Sequence, residues 1–216
     1  MSHAITPPTA VAVFGATGRT GLPLVRKLLD AGYAVRALAR TPAKLGLDHE
    51  RLEVVQGDYR DAEAVARTIA GTRAVVNLVG HVKGSDSDVL TVGMTHVVTA
   101  MRAEGIERVV NLTGAGVEHP DDRPKLVDKI FRRVMRTFFR DVITDATESS
   151  FVLRASGLAY TNVRAPRLTE GAAKGTREVG MVGQINASLT REDLADFLLE
   201  VLREGRYVGE EPAVSN

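Results

Sequence analysis

Gly15, Gly18 and Gly21 stand at spacing G-x-x-G-x-x-G in the stretch Gly15-Ala16-Thr17-Gly18-Arg19-Thr20-Gly21. Apolar residues Val11 to Phe14 precede it. Leu22, Val25, Leu28 and Leu29 follow at helical spacing. A buried strand, a tight glycine turn and a helix make an anion cradle. The first glycine permits a sharp exit from the strand. The second lets the backbone approach a pyrophosphate, and the third lets the helix lie close to the strand. Unpaired N–H groups of the first helical turn then face the phosphates. Gly15, Thr17, Gly18, Arg19 and Thr20 are the candidate ligand contacts here. The alternative is a strand-to-helix turn that holds no ligand.

The elements that position such a loop alternate along the chain. Strands are expected at Ala34 to Leu38, Leu52 to Gln56, Ala74 to Val79, Arg108 to Leu112 and Tyr160 to Val163. Helices fall between them, closed by Gly32, Gly71, Gly105 and Gly157. This spacing predicts an α/β fold: one doubly wound parallel sheet in the order 3-2-1-4-5-6, with helices on both faces. A short strand within Thr176 to Val182, a helix capped by Thr190 and an edge strand at Ala213 to Ser215 complete it. Residues 1–9, with Pro7 and Pro8, read as a disordered tail before a single domain spanning 10–216.

Ligands in such sheets lie beyond the carboxyl ends of the strands. That rule selects Arg40, Asp58, Leu78 to His81 with Gly80, Thr113 to Gly116, and Arg164 to Thr169. An acid after the second strand would bind the ribose hydroxyls of NAD. This chain has Arg40 there, with Lys44 nearby and Arg19 in the glycine loop. Two arginines can hold a ribose 2′-phosphate through forked, charge-assisted hydrogen bonds, so NADP is the expected cofactor. The alternative for Arg40 is a solvated surface residue. Asp58 stands where an adenine amino group would lie, or is a turn or cap residue. Thr113 would present a hydroxyl near the nicotinamide, or is bonded to backbone at a strand end. His81, His96 and His119 have no metal-ligand spacing, and no metal is expected.

The chain has 216 residues, 44% of them apolar, and a formal net charge of +1. That is enough for one core and points to neither nucleic acid nor membrane. It has no cysteine, which rules out disulfides and thiol chemistry. No apolar run reaches the roughly 18 residues that span a bilayer. The expected setting is the cytoplasm. Between Glu118 and Ser156, two series recur every four residues: Leu126, Ile130, Val134, Phe138, Val142 and Val127, Phe131, Met135, Phe139, Ile143. Such a repeat drifts about 40° per turn against a 3.6-residue helix, so a break is expected near Arg136 to Asp141. The basic residues flanking this face read as a solvated surface, or as one that attracts an anionic partner.

Gly15 to Gly21 together with Gly57-Asp58, Ala100 to Gly105, Leu153 to Leu158, Val163 to Thr169 and Arg191 to Ala195 resembles the atypical short-chain dehydrogenase/reductases. The resemblance is to their NAD(P)H-binding branch, which includes NmrA-like proteins and biliverdin-IXβ/flavin reductase. It implies a Rossmann fold, an NADP(H) site, and a shallow substrate cleft near residues 118–143 and 164–188. It also sets Thr113 beside the nicotinamide as the catalytic candidate. Typical members carry Tyr-x-x-x-Lys on the helix before the sixth strand. Here that helix reads Thr144-Asp145-Ala146-Thr147-Glu148-Ser149-Ser150, with neither residue. The expectation is an NADPH-dependent oxidoreductase that passes hydride to a small planar acceptor, such as a flavin or quinone. The alternative is a non-catalytic NADP(H) sensor with a protein partner.

Overall fold

The computed structural model describes residues 3–216, excluding the side chains at 127, 131, 132, 135 and 136. The chain runs β1 (Ala10–Phe14), α1 (Gly21–Asp30), β2 (Ala34–Ala39), β3 (Leu52–Gln56), α2 (Ala62–Ile69), β4 (Ala74–Asn77) and α3 (Val89–Ala103). It continues through β5 (Arg108–Gly114), α4 (Leu126–Phe138), α5 (Arg140–Arg154), β6 (Ala159–Ala165), β7 (Arg167–Thr169), β8 (Glu178–Gly180), β9 (Ser188–Thr190), α6 (Arg191–Glu204) and β10 (Ala213–Ser215).

The main sheet has the order β3-β2-β1-β4-β5-β6-β10-β8. Its first six strands are parallel and follow the predicted doubly wound order. Such strands are covered on both faces, so they read as continuous apolar runs. Val11 to Phe14 are fully buried. On one face α1 and α6 pack against them through Leu24, Val25, Leu28, Leu198 and Val201. On the other, α2 and α3 pack through Val65, Ile69, Val97 and Met101, with Leu153 of α5 in the same cluster.

Two features differ from the sequence reading. Ala213–Ser215 is not an edge strand. It pairs with β6 on one side and antiparallel with β8 on the other, so β8 forms the edge. Strands β7 and β9 make a separate parallel pair that three-residue segments do not announce in sequence. Residues 1 and 2 of the expected disordered tail lie outside the described residues. Residues 3–9 are irregular but docked: the Ile5 amide donates to Leu202 at 3.1 Å, and its carbonyl accepts from the Tyr33 hydroxyl at 2.6 Å.

The break foreseen near Arg136 to Asp141 falls at Phe139, between α4 and α5. Leu126, Ile130, Val134 and Phe138 of the expected apolar face are exposed. Val127, Phe131 and Met135 are among the undescribed side chains. No helix among the described residues is long and apolar enough to cross a membrane.

Candidate functional site

A cleft opens at the carboxyl ends of β1, β2, β3 and β4. It is lined by Gly15, Thr17, Gly18, Leu38, Ala39, Arg40, Gly57, Asp58, Tyr59, Leu78, Val79, Gly80, Val82, Ser85 and Val89. The three glycines of the loop serve different ends. Gly15 has φ of +75°, and a Cβ there would lie 2.7 Å from the Leu78 carbonyl. At Gly21 a Cβ would lie 2.1 Å from the Gly15 oxygen. Both glycines are therefore demanded by the protein's own packing. A Cβ at Gly18 would meet only the Gly15 oxygen, at 3.1 Å, which a shift of a few tenths of an ångström relieves. The small residue at Gly18 leaves room on the cleft side. Thr20, the N-cap of α1, makes no side-chain capping bond. A helix N-terminus without a side-chain cap, behind bare backbone, fits a dinucleotide pyrophosphate.

The far end of the cleft carries Arg40, which directly follows β2. Its Nε lies 4.0 Å from Asp58 Oδ2, and its side chain is 66% exposed. At that exposure the pair is a loose one that a phosphate can replace. Asp58 Oδ1 accepts from the Arg60 amide at 2.9 Å, the turn role named as its alternative, and Asp58 lines the cleft as well. The helix cap is instead Asp61, which accepts from the Glu63 and Ala64 amides. Lys44 ends an exposed 3-10 turn after Arg40.

Arg19, Thr20 and Thr113 are not among the residues lining this cleft. Arg19 bonds Glu170 at 3.1 Å rather than converging with Arg40. Glu170 also takes Arg191 Nε at 2.9 Å, and the Arg191 bond foremost holds its carboxyl below the ordinary range. Thr20 is buried. Thr113 stands at the end of β5, opposite Arg164 of β6, and its hydroxyl makes no hydrogen bond among the described residues. The backbone-bonded alternative for Thr113 is therefore not realised.

Arg164 was selected by its strand-end position, but its side chain is fully buried. It pairs with Asp122 at 2.9 Å and donates to the Glu211 carbonyl at 2.9 Å. Asp122 in turn accepts from the amides of His119 and Val182. The charge thus ties together the two segments expected to flank a substrate, 118–143 and 164–188.

Several contacts around the cleft escaped the sequence reading. Tyr59 packs against Phe14 with the rings tilted by 56° and their centroids 5.5 Å apart, and a Cβ at Gly93 would overlap its ring. Its hydroxyl is buried without a partner among the described residues, and burial pushes its ionisation up. Asn77, Asn111 and Asn162 stand in register across β4, β5 and β6 and are bonded side chain to side chain at 2.7 Å. Asn162 then donates to Ser150 of α5 at 3.2 Å, fixing that helix to the sheet. His81 donates from Nε2 to Asp145 of α5 at 2.8 Å. No local pattern foretells these bonds, because each joins residues far apart in sequence. No group of three His, Asp or Glu side chains among the described residues forms a metal site.

This sheet order, with a glycine cradle at a helix N-terminus, defines a dinucleotide-binding Rossmann protein. The chain belongs to the NAD(P)H-binding family, whose profile matches residues 15–205. It is 34% identical over 176 residues to a (4-alkanoyl-5-oxo-2,5-dihydrofuran-3-yl)methyl phosphate reductase of Streptomyces griseus. That match covers 80% of this chain but only 54% of the relative's length. Among solved structures, a short-chain dehydrogenase/reductase from Veillonella parvula in complex with NADP superposes with a TM-score of 0.79 at 20% identity. It covers 96% of this chain and 94% of that one. ChuY, an anaerobilin reductase from Escherichia coli, gives 0.77 at 20% identity, covering 96% and 97%. At these identities the likeness is one of fold.

Proposed function

We propose that this protein is an NADPH-dependent reductase that delivers hydride to a small planar acceptor such as a flavin or quinone. The observation that carries the cofactor half is Arg40, exposed at the end of β2 in a cleft whose other end is the Gly18 cradle. Gly15 to Gly18 and the N-terminus of α1 would hold the pyrophosphate, and Arg40 with Lys44 the 2′-phosphate. Bound there, a reduced nicotinamide supplies the hydride. The reductase name borne by the Streptomyces relative supports the direction of the chemistry.

The acceptor half rests on α5. That helix has neither tyrosine nor lysine, so the acid of typical short-chain dehydrogenases is absent from it. Acceptors such as flavins and quinones accept hydride without that tyrosine acid. The Asn77-Asn111-Asn162 ladder joins the end of β4 to the middles of β5 and β6 in fixed register, and Thr113, two residues beyond Asn111, has a hydroxyl with no partner among the described residues. Thr113 orients cofactor and acceptor in this reading. Thr113→Val is therefore expected to lower kcat/KM for a quinone by only about tenfold, the scale of one hydrogen bond near 1 kcal/mol. Loss of a general acid would cost roughly 10²–10⁴.

The experiment is steady-state NADPH oxidation by the purified protein with a panel of flavins, quinones and dyes. Turnover of at least one is expected. The lack of a tyrosine–lysine pair also favours a second reading, an NADP(H)-binding regulator with a protein partner. Tight NADPH binding with no turnover of any acceptor would establish that reading instead.

A further inference from the structure

His81 follows Gly80 and precedes Val82, and both of these line the cleft. Its imidazole Nε2 donates to Asp145 Oδ2 at 2.8 Å, with the two side chains only 12% and 2% exposed. Asp145 also accepts from the Leu90 amide at 2.9 Å, the Thr91 amide at 2.9 Å and the Thr91 hydroxyl at 2.6 Å. The carboxylate thus caps α3 from α5, a task that the N-cap residue Asp88 does not perform with its own side chain. Capping alone calls for no histidine. The imidazole is an added partner on an already satisfied carboxylate, and Asp145 fixes which ring nitrogen remains. With Nε2 spent on Asp145, Nδ1 has no partner among the described residues. Asp145 stands on the helix where typical members of the resembled family carry their acid.

We propose that His81, aligned by Asp145, is the acid that protonates the acceptor as hydride reaches it. This rests on the reductase reading above. Hydride from the reduced nicotinamide carries two electrons to the acceptor. The Nδ1 proton of the imidazolium then forms an O–H or N–H bond at the conjugated heteroatom. The ring is left neutral and regains a proton from water. Asp145 is a positioning residue, holding Nε2–H so that Nδ1 is the nitrogen left to carry the transferable proton, as an aspartate fixes the tautomer in hydrolytic triads. The proton no longer comes from a tyrosine, so the missing Tyr-x-x-x-Lys does not leave the site without an acid.

The test compares His81→Gln and His81→Ala with the wild type, using saturating NADPH and a naphthoquinone as acceptor. Glutamine retains a donor toward Asp145 but cannot release a proton. Both variants are expected to lose about 100-fold in kcat, within the range of a general acid. The calorimetric Kd for NADPH should stay at the wild-type value in both, and His81→Gln, which keeps a donor to Asp145, should keep the wild-type melting temperature as well. Added imidazole should restore His81→Ala but not His81→Gln. Nitrogen NMR of the neutral ring should place its proton on Nε2, and Asp145→Asn should abolish that preference. A His81→Gln enzyme with near wild-type kcat would overturn the role of His81 alone, as would a neutral ring protonated on Nδ1. A wild type that binds NADPH yet reduces no acceptor would overturn the reductase reading and this role with it.

Discussion

Gly18→Val is expected to abolish NADPH binding while leaving the circular dichroism spectrum and melting temperature close to wild type. Two of the loop glycines are needed by the fold itself. A Cβ would lie 2.7 Å from the Leu78 carbonyl at Gly15 and 2.1 Å from the Gly15 oxygen at Gly21. At Gly18 the nearest atom is 3.1 Å away, so a side chain costs the free protein little. What the side chain occupies is the approach to the N-terminus of α1, where backbone N–H groups would contact the pyrophosphate. The effect should therefore appear in binding and not in stability. A paired control sharpens the result: Gly21→Val is expected to lower the melting temperature, because helix and loop cannot both keep their places. Normal NADPH affinity in Gly18→Val would show that the loop is a turn and nothing more.

The second large effect is expected in stability. Arg164→Leu removes the guanidinium from a fully buried ion pair and leaves Asp122 with its side chain 3% exposed. Breaking such a pair from one side costs about 3–5 kcal/mol, because Asp122 and the Glu211 carbonyl both lose a buried, charge-assisted donor. For a chain of this size that is a fall of roughly 6–20 °C in melting temperature. Replacing both partners, with Asp122→Leu added, should recover part of the loss, since the carboxylate's own burial is then removed with its lost donor. Differential scanning calorimetry on the two variants checks both statements. The same pair joins segments 118–125 and 181–183 to β6, so the single variant should also weaken acceptor binding. A single variant as stable as the wild type would contradict the assignment of Arg164 to structure.

How much of this was legible in sequence depends on the range of the contacts. Val11 to Gly21 announced strand, turn and helix because each signal is local: an apolar run, glycines at fixed offsets, then 3.6-residue spacing. The parallel order followed from alternating elements and the handedness of their crossovers. The break at Phe139 was readable from a four-residue repeat that a straight helix cannot keep on one face. Strand β10 was misplaced at an edge because nothing local in Glu178 to Gly180 says that β8 folds back beside it. Arg19 was grouped with Arg40 by residue type, yet its partner Glu170 lies 151 positions away. Arg164 stood at the right strand end for a ligand contact, and only tertiary packing turns it inward to Asp122. His81 was visible as a residue, but Asp145 was needed to give it a direction, and the two are 64 positions apart.

The central claim is that the cleft between Gly18 and Arg40 is an NADP(H) site. Calorimetric titration of the wild-type protein with NADPH and then NADH tests it most directly. NADPH is predicted to bind more tightly by about 1–3 kcal/mol, or roughly 5- to 150-fold in Kd, the scale of paired charge-assisted contacts to a phosphate. Arg40→Ala should remove most of that difference without unfolding the chain, since the side chain is 66% exposed. Equal affinity for the two cofactors, or binding of neither, would contradict it.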